Sequence, residues 1–480
     1  MDYSLPLILQ NAFNKRITKV LYLILVTMIL FISFSHWGYD DPFITYRYSE
    51  NLRQGLGFVF NAGERVLSTT TPLFTLLLAL LGEIWSDIPK LANLIGAFSL
   101  ALGGLFLWDL AQTWHTPLVG WGGLILYPTF PLLVSTLGSE TLLYIALCLG
   151  AFAMYARQSY SLAAIFAALA VLTRPDGILV AIILAAHFLV KERRQVRWVS
   201  IALFFCFTIP WFVFAWSYFG SPLPVTMVVK QHQGSMAISQ GFFEGFLTIA
   251  SPYFKWSYFI ELGLVIVGLV FMFRKASQWV LILSWTLLYF FSYSVIGVSR
   301  YFWYYAPLLT IWIVMIGLGI SSLQRFFTPN RKLLFWIVSL VLFFCMFLAQ
   351  SLDLWRLRQN PDPRLMMYRD VGEWLQENTL PSSSVGTLEV GIIGYYSQRK
   401  IIDFAGLIQP IVGDQLTKSS TYDDSAVWAV DHFQPDYLVL NANNFPRLEQ
   451  EYINQHCEII RVFLGNAYGN PTDFYVYQCN

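Results

Sequence analysis

The chain has 480 residues, of which 56% are hydrophobic and only 12% charged, and its formal net charge is +1. A soluble protein carries about 25% charged residues, so an ordinary soluble enzyme is excluded, and a near-neutral chain offers no basic footing for nucleic acid. The 40 Phe, 26 Tyr and 17 Trp suit a protein whose rings anchor helices at both bilayer interfaces.

In chain order, the first apolar run (17–35) follows Lys15, Arg16 and Lys19. It ends in Ser35-His36-Trp37-Gly38 without a small-residue cleavage site, so a retained first span is expected. The loop 36–71 comes next. It opens on Asp40-Asp41-Pro42 and has helical spacing from Ile44 to Arg53, closed by Gly55 and Gly57. Further apolar runs lie at 72–86, 90–112, 117–137, 140–156, 159–172, 177–190, 198–219, 258–273, 277–298, 302–321 and 333–351.

Basic residues set the expected sidedness. Lys15-Arg16-Lys19, Arg157, Lys191-Glu192-Arg193-Arg194 with Arg197, Arg274-Lys275 and Arg325 to Lys332 are placed in the cytoplasm. Parity then requires that the short run 72–86 lie at the interface. About 11 crossings follow, with the segment after Ser351 outside. A broken helix over 159–190 would shift that count.

On the non-cytoplasmic face this topology gathers loop 36–71, Glu140, Thr173-Arg174-Pro175-Asp176-Gly177, Gly220 to Pro224 leading to Lys230 and His232, and Ser299-Arg300 with Tyr304. Ionisable groups beside hydrocarbon are costly, and they mark a site or a satisfied pair. Asp40 reads as a general base for an acceptor hydroxyl or, equally, as part of a helix cap with Pro42 at the first turn. Asp41 would orient Asp40, bind acceptor or cap the helix, and a divalent cation, if one is used, falls to Asp40 and Asp41. Arg47 suits a lipid phosphate or an ion pair with Glu50. Glu140 and Asp176 suit acceptor hydroxyls or a salt bridge with Arg174.

After Asp353 the spans stop. An amphipathic helix over 364–377, strands near 384–390, 400–404, 436–441, 458–463 and 474–478, and helices over 424–432 and 447–455 describe a small α/β domain. The expected organisation is a membrane module over 1–352 and an extracytoplasmic domain over 353–480. Gly391-Ile392-Ile393-Gly394 resembles a phosphate loop only superficially and reads as a strand-to-helix turn. Cys457 and Cys479 flank an expected hairpin; a disulfide forms if the register sets them opposite, and a slip of one residue separates them.

Several of these residues together resemble a known family. Asp40-Asp41-x-Phe43-Ile44-x-x-Arg47-Tyr48, Asn51, Gly55-x-Gly57, Asn61-x-Gly63-Glu64-Arg65-Val66 and Thr70-Thr71-Pro72 resemble the first outer loop of the GT-C superfamily of membrane glycosyltransferases. Within it they resemble the branch of the mycobacterial terminal β-arabinofuranosyltransferase, related to protein mannosyltransferases and lipid A aminoarabinose transferases. Gly138-Ser139-Glu140-Thr141, Leu172 to Gly177, Gly220 to Pro224 with Lys230, and Trp303-Tyr304-Tyr305-x-Pro307 fit the same branch. The resemblance implies sugar transfer from a polyprenyl-phosphate donor to a cell-envelope glycan or glycolipid at the plasma membrane. Asp40 would be the base of an inverting displacement, and the lipid phosphate would lie near Arg174, Lys230 or Arg300, with His232 and Tyr304 in the substrate site. Ser68-Thr69 and Val225-Thr226 depart from the branch, which puts sugar and acceptor identity outside its reach. A lipid or glycan transporter is the competing class; it predicts ionisable or broken-helix sites at mid-membrane, often in repeated halves, and no repeat is visible.

Overall fold

A computed structural model describes residues 11–191 and 196–479, so Glu192, Arg193 and Arg194 of the basic cluster lie outside the described residues. Helix α1 (Arg16–Phe34) spans 19 residues, about 28 Å at 1.5 Å per residue. It leaves Ile17, Leu21, Leu25 and Ile32 exposed, an apolar face suited to lipid rather than water.

Loop 36–71 forms α2 (Asp40–Arg53), whose N-cap is Tyr39 with no side-chain cap bond. Neither aspartate caps the helix through its side chain. The short run expected at the interface is α3 (Pro72–Gly82), 11 residues long, followed by α4 (Ile88–Thr113). The run 117–137 is not one helix. Pro128 and Pro131, which cannot donate to the preceding turn, split it into α5 (Pro117–Ile125) and a single turn at Pro131–Val134.

Next come α6 (Thr141–Ala156), α7 (Tyr160–Thr173) and α8 (Ile178–Lys191). A Cβ on Gly177 would overlap the Ala170 and Val171 backbone. The chain therefore doubles back there, and α7 and α8 are a hairpin rather than halves of one broken helix. The bundle is completed by α9 (Trp198–Phe219), α10 (Thr226–Ser235), α11 (Phe242–Ala250), α12 (Phe259–Lys275), α13 (Val280–Ile296), α14 (Leu309–Leu323) and α15 (Lys332–Gln359).

Among the described residues, seven helices are long and apolar enough to cross a membrane, where about 11 crossings were expected. Helices α3, α6 and α7 are apolar but have only 11, 16 and 14 residues, below the ~17 a simple crossing needs. At the end of the bundle away from the cavity described below, Asp109 binds Lys19 Nζ at 2.6 Å and Arg157 Nη2 at 3.0 Å. Three helical segments are thereby tied together. Deeper in, Glu261 is fully buried and accepts from Trp312 Nε1 and Gln350 Nε2, both at 3.0 Å.

The C-terminal region packs α16 (Pro363–Asn378), α17 (Val390–Ser397) and α18 (Tyr422–Phe433) around five strands: β1 (Ser384–Thr387), β2 (Lys400–Asp403), β3 (Tyr437–Asn441), β4 (Cys457–Phe463) and β5 (Phe474–Cys479). Their order is β2-β1-β3-β5-β4, with β5 antiparallel to both neighbours and the other pairings parallel. All five expected strands are present. The helix expected over 447–455 is present as one unbroken helical stretch over 446–456, α-helical at Pro446–Leu448 and Asn454–His456 with a wider π-helical turn at Glu449–Ile453 between them. Cys457 lies directly opposite Cys479 and the two form a disulfide; a bulge between Ile459 and Arg461 absorbs the odd residue further along the ladder.

Phe43, Ile44 and Tyr46 of α2 share one core with Ile392, Ile393, Ile401 and Tyr368 of the C-terminal region. Gly391 is the tightest point of this joint, because a Cβ there would overlap the Asp40 carbonyl. Gly391→Ala is expected to destabilise the protein by about 1–3 kcal/mol through overpacking. Thermal unfolding of the detergent-solubilised full chain, with the melting temperature falling in the variant, checks this.

Candidate active site at the joint between bundle and C-terminal domain

Two short helices outside the long spans carry the site. On α2, Asp41 and Thr45 are four residues apart and share a face; on α10, Thr226 and Lys230 do the same. Lys230 Nζ lies 3.2 Å from both Asp41 oxygens and rests over the rings of Tyr301, Trp303 and Tyr304 at 5.0–5.7 Å. Burial works against the Lys230 ammonium, but Asp41 and the two tyrosines outweigh it, and its pKa is raised. This lysine stays charged.

A second cluster faces the first. Gly138 takes a φ of +88° that glycine tolerates best, and Glu140 follows as the N-cap of α6. Arg174, at the extended turn between α7 and α8, donates Nε and Nη2 to Asp176 at 3.1 and 2.9 Å, and Nη2 to the Tyr293 and Tyr289 hydroxyls at 2.7 and 3.3 Å. Its Nη1 is 3.5 Å from Glu140. Burial raises the Glu140 pKa, with Arg174 pulling it back. Tyr289 and Tyr293, which orient the guanidinium, were not foreseen; they sit inside an apolar run and carry no pattern that marks them.

Between these clusters lies a cavity of about 340 Å3. Asp41, Glu140, Arg174, Asp176 and Lys230 form its charged side, with the Tyr304 ring beside them. Thr45, Ser68, Thr69, Thr71 and Thr226 form a hydroxyl-bearing side, and Ile178, Leu179, Met227 and Ile296 an apolar one. Leu407 reaches in from the C-terminal domain. Its segment is set by Asp403, which accepts from the backbone of Ala405 and Ile408 at 2.7 and 2.9 Å. It is held to α10 where Gln233 Nε2 donates to the Ala405 carbonyl at 3.3 Å.

Four of the residues singled out in the sequence are elsewhere. Asp40 points away from the cavity into the joint, where Oδ2 accepts from Gly391 N at 3.0 Å and Oδ1 from Ile392 N at 2.7 Å. These are free donors of the first turn of α17, a favourable seat for a carboxylate. Burial and the nearby Glu389 raise the Asp40 pKa against those two bonds. Arg47 donates to the Phe60 and Gly394 carbonyls at 3.3 and 3.1 Å, while Glu50 pairs with Arg53 at 2.6 Å. His232 Nδ1 lies 3.1 Å from the Gly413 carbonyl. Arg300 is exposed, packing its stem on Gly245. Successive helix positions point about 100° apart, so the two aspartates diverge, and it is Asp41 that takes the cavity side. Among the described residues no three His, Cys, Asp or Glu side chains group as metal ligands, and the two carboxylates expected to share any cation have separate partners.

No curated protein matches the chain in sequence. Residues 357–477 match DUF8728, a domain of unknown function. Among solved structures, ArnT from Cupriavidus metallidurans bound to undecaprenyl phosphate superposes with a TM-score of 0.63 at 14% identity, covering 95% of this chain and 97% of that one. The Archaeoglobus fulgidus oligosaccharyltransferase tethered to an acceptor peptide gives 0.61 at 14% identity, over 90% of this chain and 70% of that one. The archaeal oligosaccharyltransferase AglB from Archaeoglobus fulgidus, in complex with an inhibitory peptide and a dolichol-phosphate, gives 0.61 at 14% identity, over 89% of this chain and 70% of that one. The chain thus shares the mainly helical fold of these structures and carries a small C-terminal sheet.

Proposed function

We propose that this protein transfers a sugar from a polyprenyl-phosphate donor to a hydroxyl of a glycan or glycolipid acceptor, by inverting displacement on the non-cytoplasmic face of the membrane. The observation that carries this reading is one cavity in which Asp41 and Lys230, the Glu140–Arg174–Asp176 cluster and an apolar wall meet. The structural neighbours, with undecaprenyl phosphate in one and dolichol-phosphate in another, support the donor class. Asp41, rather than Asp40, is the base.

In the reaction, Asp41 takes the proton of the acceptor hydroxyl, whose oxygen attacks the anomeric carbon from the face opposite the phosphate. The carbon–oxygen bond to phosphate breaks and the polyprenyl phosphate leaves with the electron pair. Lys230 and Arg174 stabilise that developing charge, at the end of the cavity from which Ile178, Leu179 and Ile296 lead the isoprenoid into the bilayer. On donor binding, the phosphate competes with Asp41 for Lys230, which frees the carboxylate to act as a base.

The test is transfer of labelled sugar from a panel of synthetic polyprenyl-phosphate donors by membranes containing the protein. Product from at least one donor is expected, and none from the whole panel would sink the reading. Sidedness is tested separately. A cysteine replacing the exposed Leu56 is expected to react with an impermeant maleimide added to intact cells, whereas labelling only after lysis would place the cavity in the cytoplasm.

A further inference from the structure

One wall of the cavity is built from hydroxyls that neither the charge chemistry nor the packing requires. The Thr45 and Thr69 hydroxyl oxygens lie 3.2 Å apart, Thr45 and Thr71 3.2 Å, and Thr69 and Thr71 3.0 Å. All three residues are at most 6% exposed. In such a triangle each hydroxyl donates once and accepts once, and rotation of any one of them opens a donor and an acceptor toward the cavity. Beside them, the buried Ser68 Oγ has no hydrogen-bond partner of good geometry, although the Tyr48 hydroxyl is a near neighbour. Valines would fill the same volume without the cost of burying hydroxyls.

We propose that Thr45, Ser68, Thr69 and Thr71 form the subsite that seats the neutral, hydroxyl-rich sugar of the donor. This rests on the glycosyltransferase reading above. Three observations converge on it. Thr45 stands four residues after Asp41, and Thr226 four residues before Lys230. The hydroxyl wall therefore lies one helical turn, about 5.4 Å along the axis, from the charged pair on both helices, a separation on the scale of a monosaccharide ring. The donor sugar is bonded directly to the phosphate that Lys230 and Arg174 attract, so it lies within a ring's breadth of those cations, which is where the wall stands. The wall carries no charge of its own and so matches hydroxyls rather than a carboxylate or a second phosphate.

The third observation is how the wall is held. Ser68-Thr69 and Val225-Thr226, far apart in the chain, meet at this wall. Thr226 Oγ1 donates to the Ser68 carbonyl at 3.0 Å, and Val225 N to the Leu67 carbonyl at 2.9 Å.

The experiment measures equilibrium binding of the full-length protein in detergent to undecaprenyl phosphate alone, and to undecaprenyl phosphate carrying glucose, mannose or arabinose. The parent is expected to bind one glycosylated lipid at least tenfold more tightly than the bare lipid. Thr69→Val and Thr71→Val each lose about tenfold for that lipid, the effect of one hydroxyl contact, with bare-lipid binding unchanged; Thr69→Ser retains it. The subsite is overturned if the parent does not distinguish glycosylated from bare lipid, or if the valine variants weaken both equally, as a folding defect would. It is also overturned if they leave donor binding intact and raise only the acceptor KM, which would make the wall an acceptor site. A parent that binds none of these lipids overturns the donor class itself, a separate failure from loss of sugar discrimination alone.

Discussion

Asp41→Asn is expected to lower the rate of sugar transfer by about 10²–10⁴-fold, the range that a positioned general base supplies, while Asp40→Asn lowers it less than tenfold. The two substitutions are chemically identical and one residue apart, so their contrast isolates geometry. Asp41 opens on the cavity, where both its carboxylate oxygens face Lys230 Nζ. Asparagine keeps the shape of the side chain but cannot accept the acceptor's proton. Asp40 never reaches the cavity; its two carboxylate oxygens are taken by the Gly391 and Ile392 amides. Asparagine there can accept only one of those bonds, and the cost appears as a lower melting temperature. Initial rates with saturating donor, beside thermal unfolding of each variant, check both halves. A silent Asp41→Asn together with a dead Asp40→Asn would reverse the assignment.

Lys230→Gln should reduce kcat by about 10²–10³-fold, as removal of one charge-stabilising donor does, and Lys230→Arg should recover much of it by restoring the cation. One confounding possibility is that Lys230 matters only by holding Asp41. The double variant Asp41→Asn/Lys230→Gln separates the two. If Lys230 stabilises the leaving phosphate, its effect multiplies that of Asp41→Asn; if it acts only through Asp41, the double variant is no slower than Asp41→Asn alone. Arg174→Gln would be harder to read, because it also strips Asp176 and Glu140 of their cation and a buried broken pair is itself destabilising.

Much of the architecture was legible in the residues because it depends on local pattern. Apolar runs long enough to span a bilayer, strand-like alternation after Asp353 and the two cysteines flanking a hairpin are properties of neighbouring residues, and the helices, the five strands and the Cys457–Cys479 bond follow them. The apolar run 117–137 does not form one helix, because Pro128 and Pro131 break it whatever the composition around them.

The site divides along the same line. Composition and spacing by themselves determined that Asp40, Asp41, Glu140, Arg174, Asp176, Lys230 and Tyr304 belong near one end of an apolar bundle, because charges beside hydrocarbon have few other places to go. Which of two adjacent aspartates faces the cavity was decided only by the tertiary structure. The free amides at the start of α17, some 350 residues downstream of Asp40, seat its carboxylate, and the turn of the helix then directs Asp41 toward Lys230. The hydroxyl wall likewise needs α2, residues 68–71 and α10 to be brought together, since no single stretch of the chain contains it. Local sequence sets what each segment can be, whereas the choice between neighbouring side chains rests on contacts made across hundreds of residues.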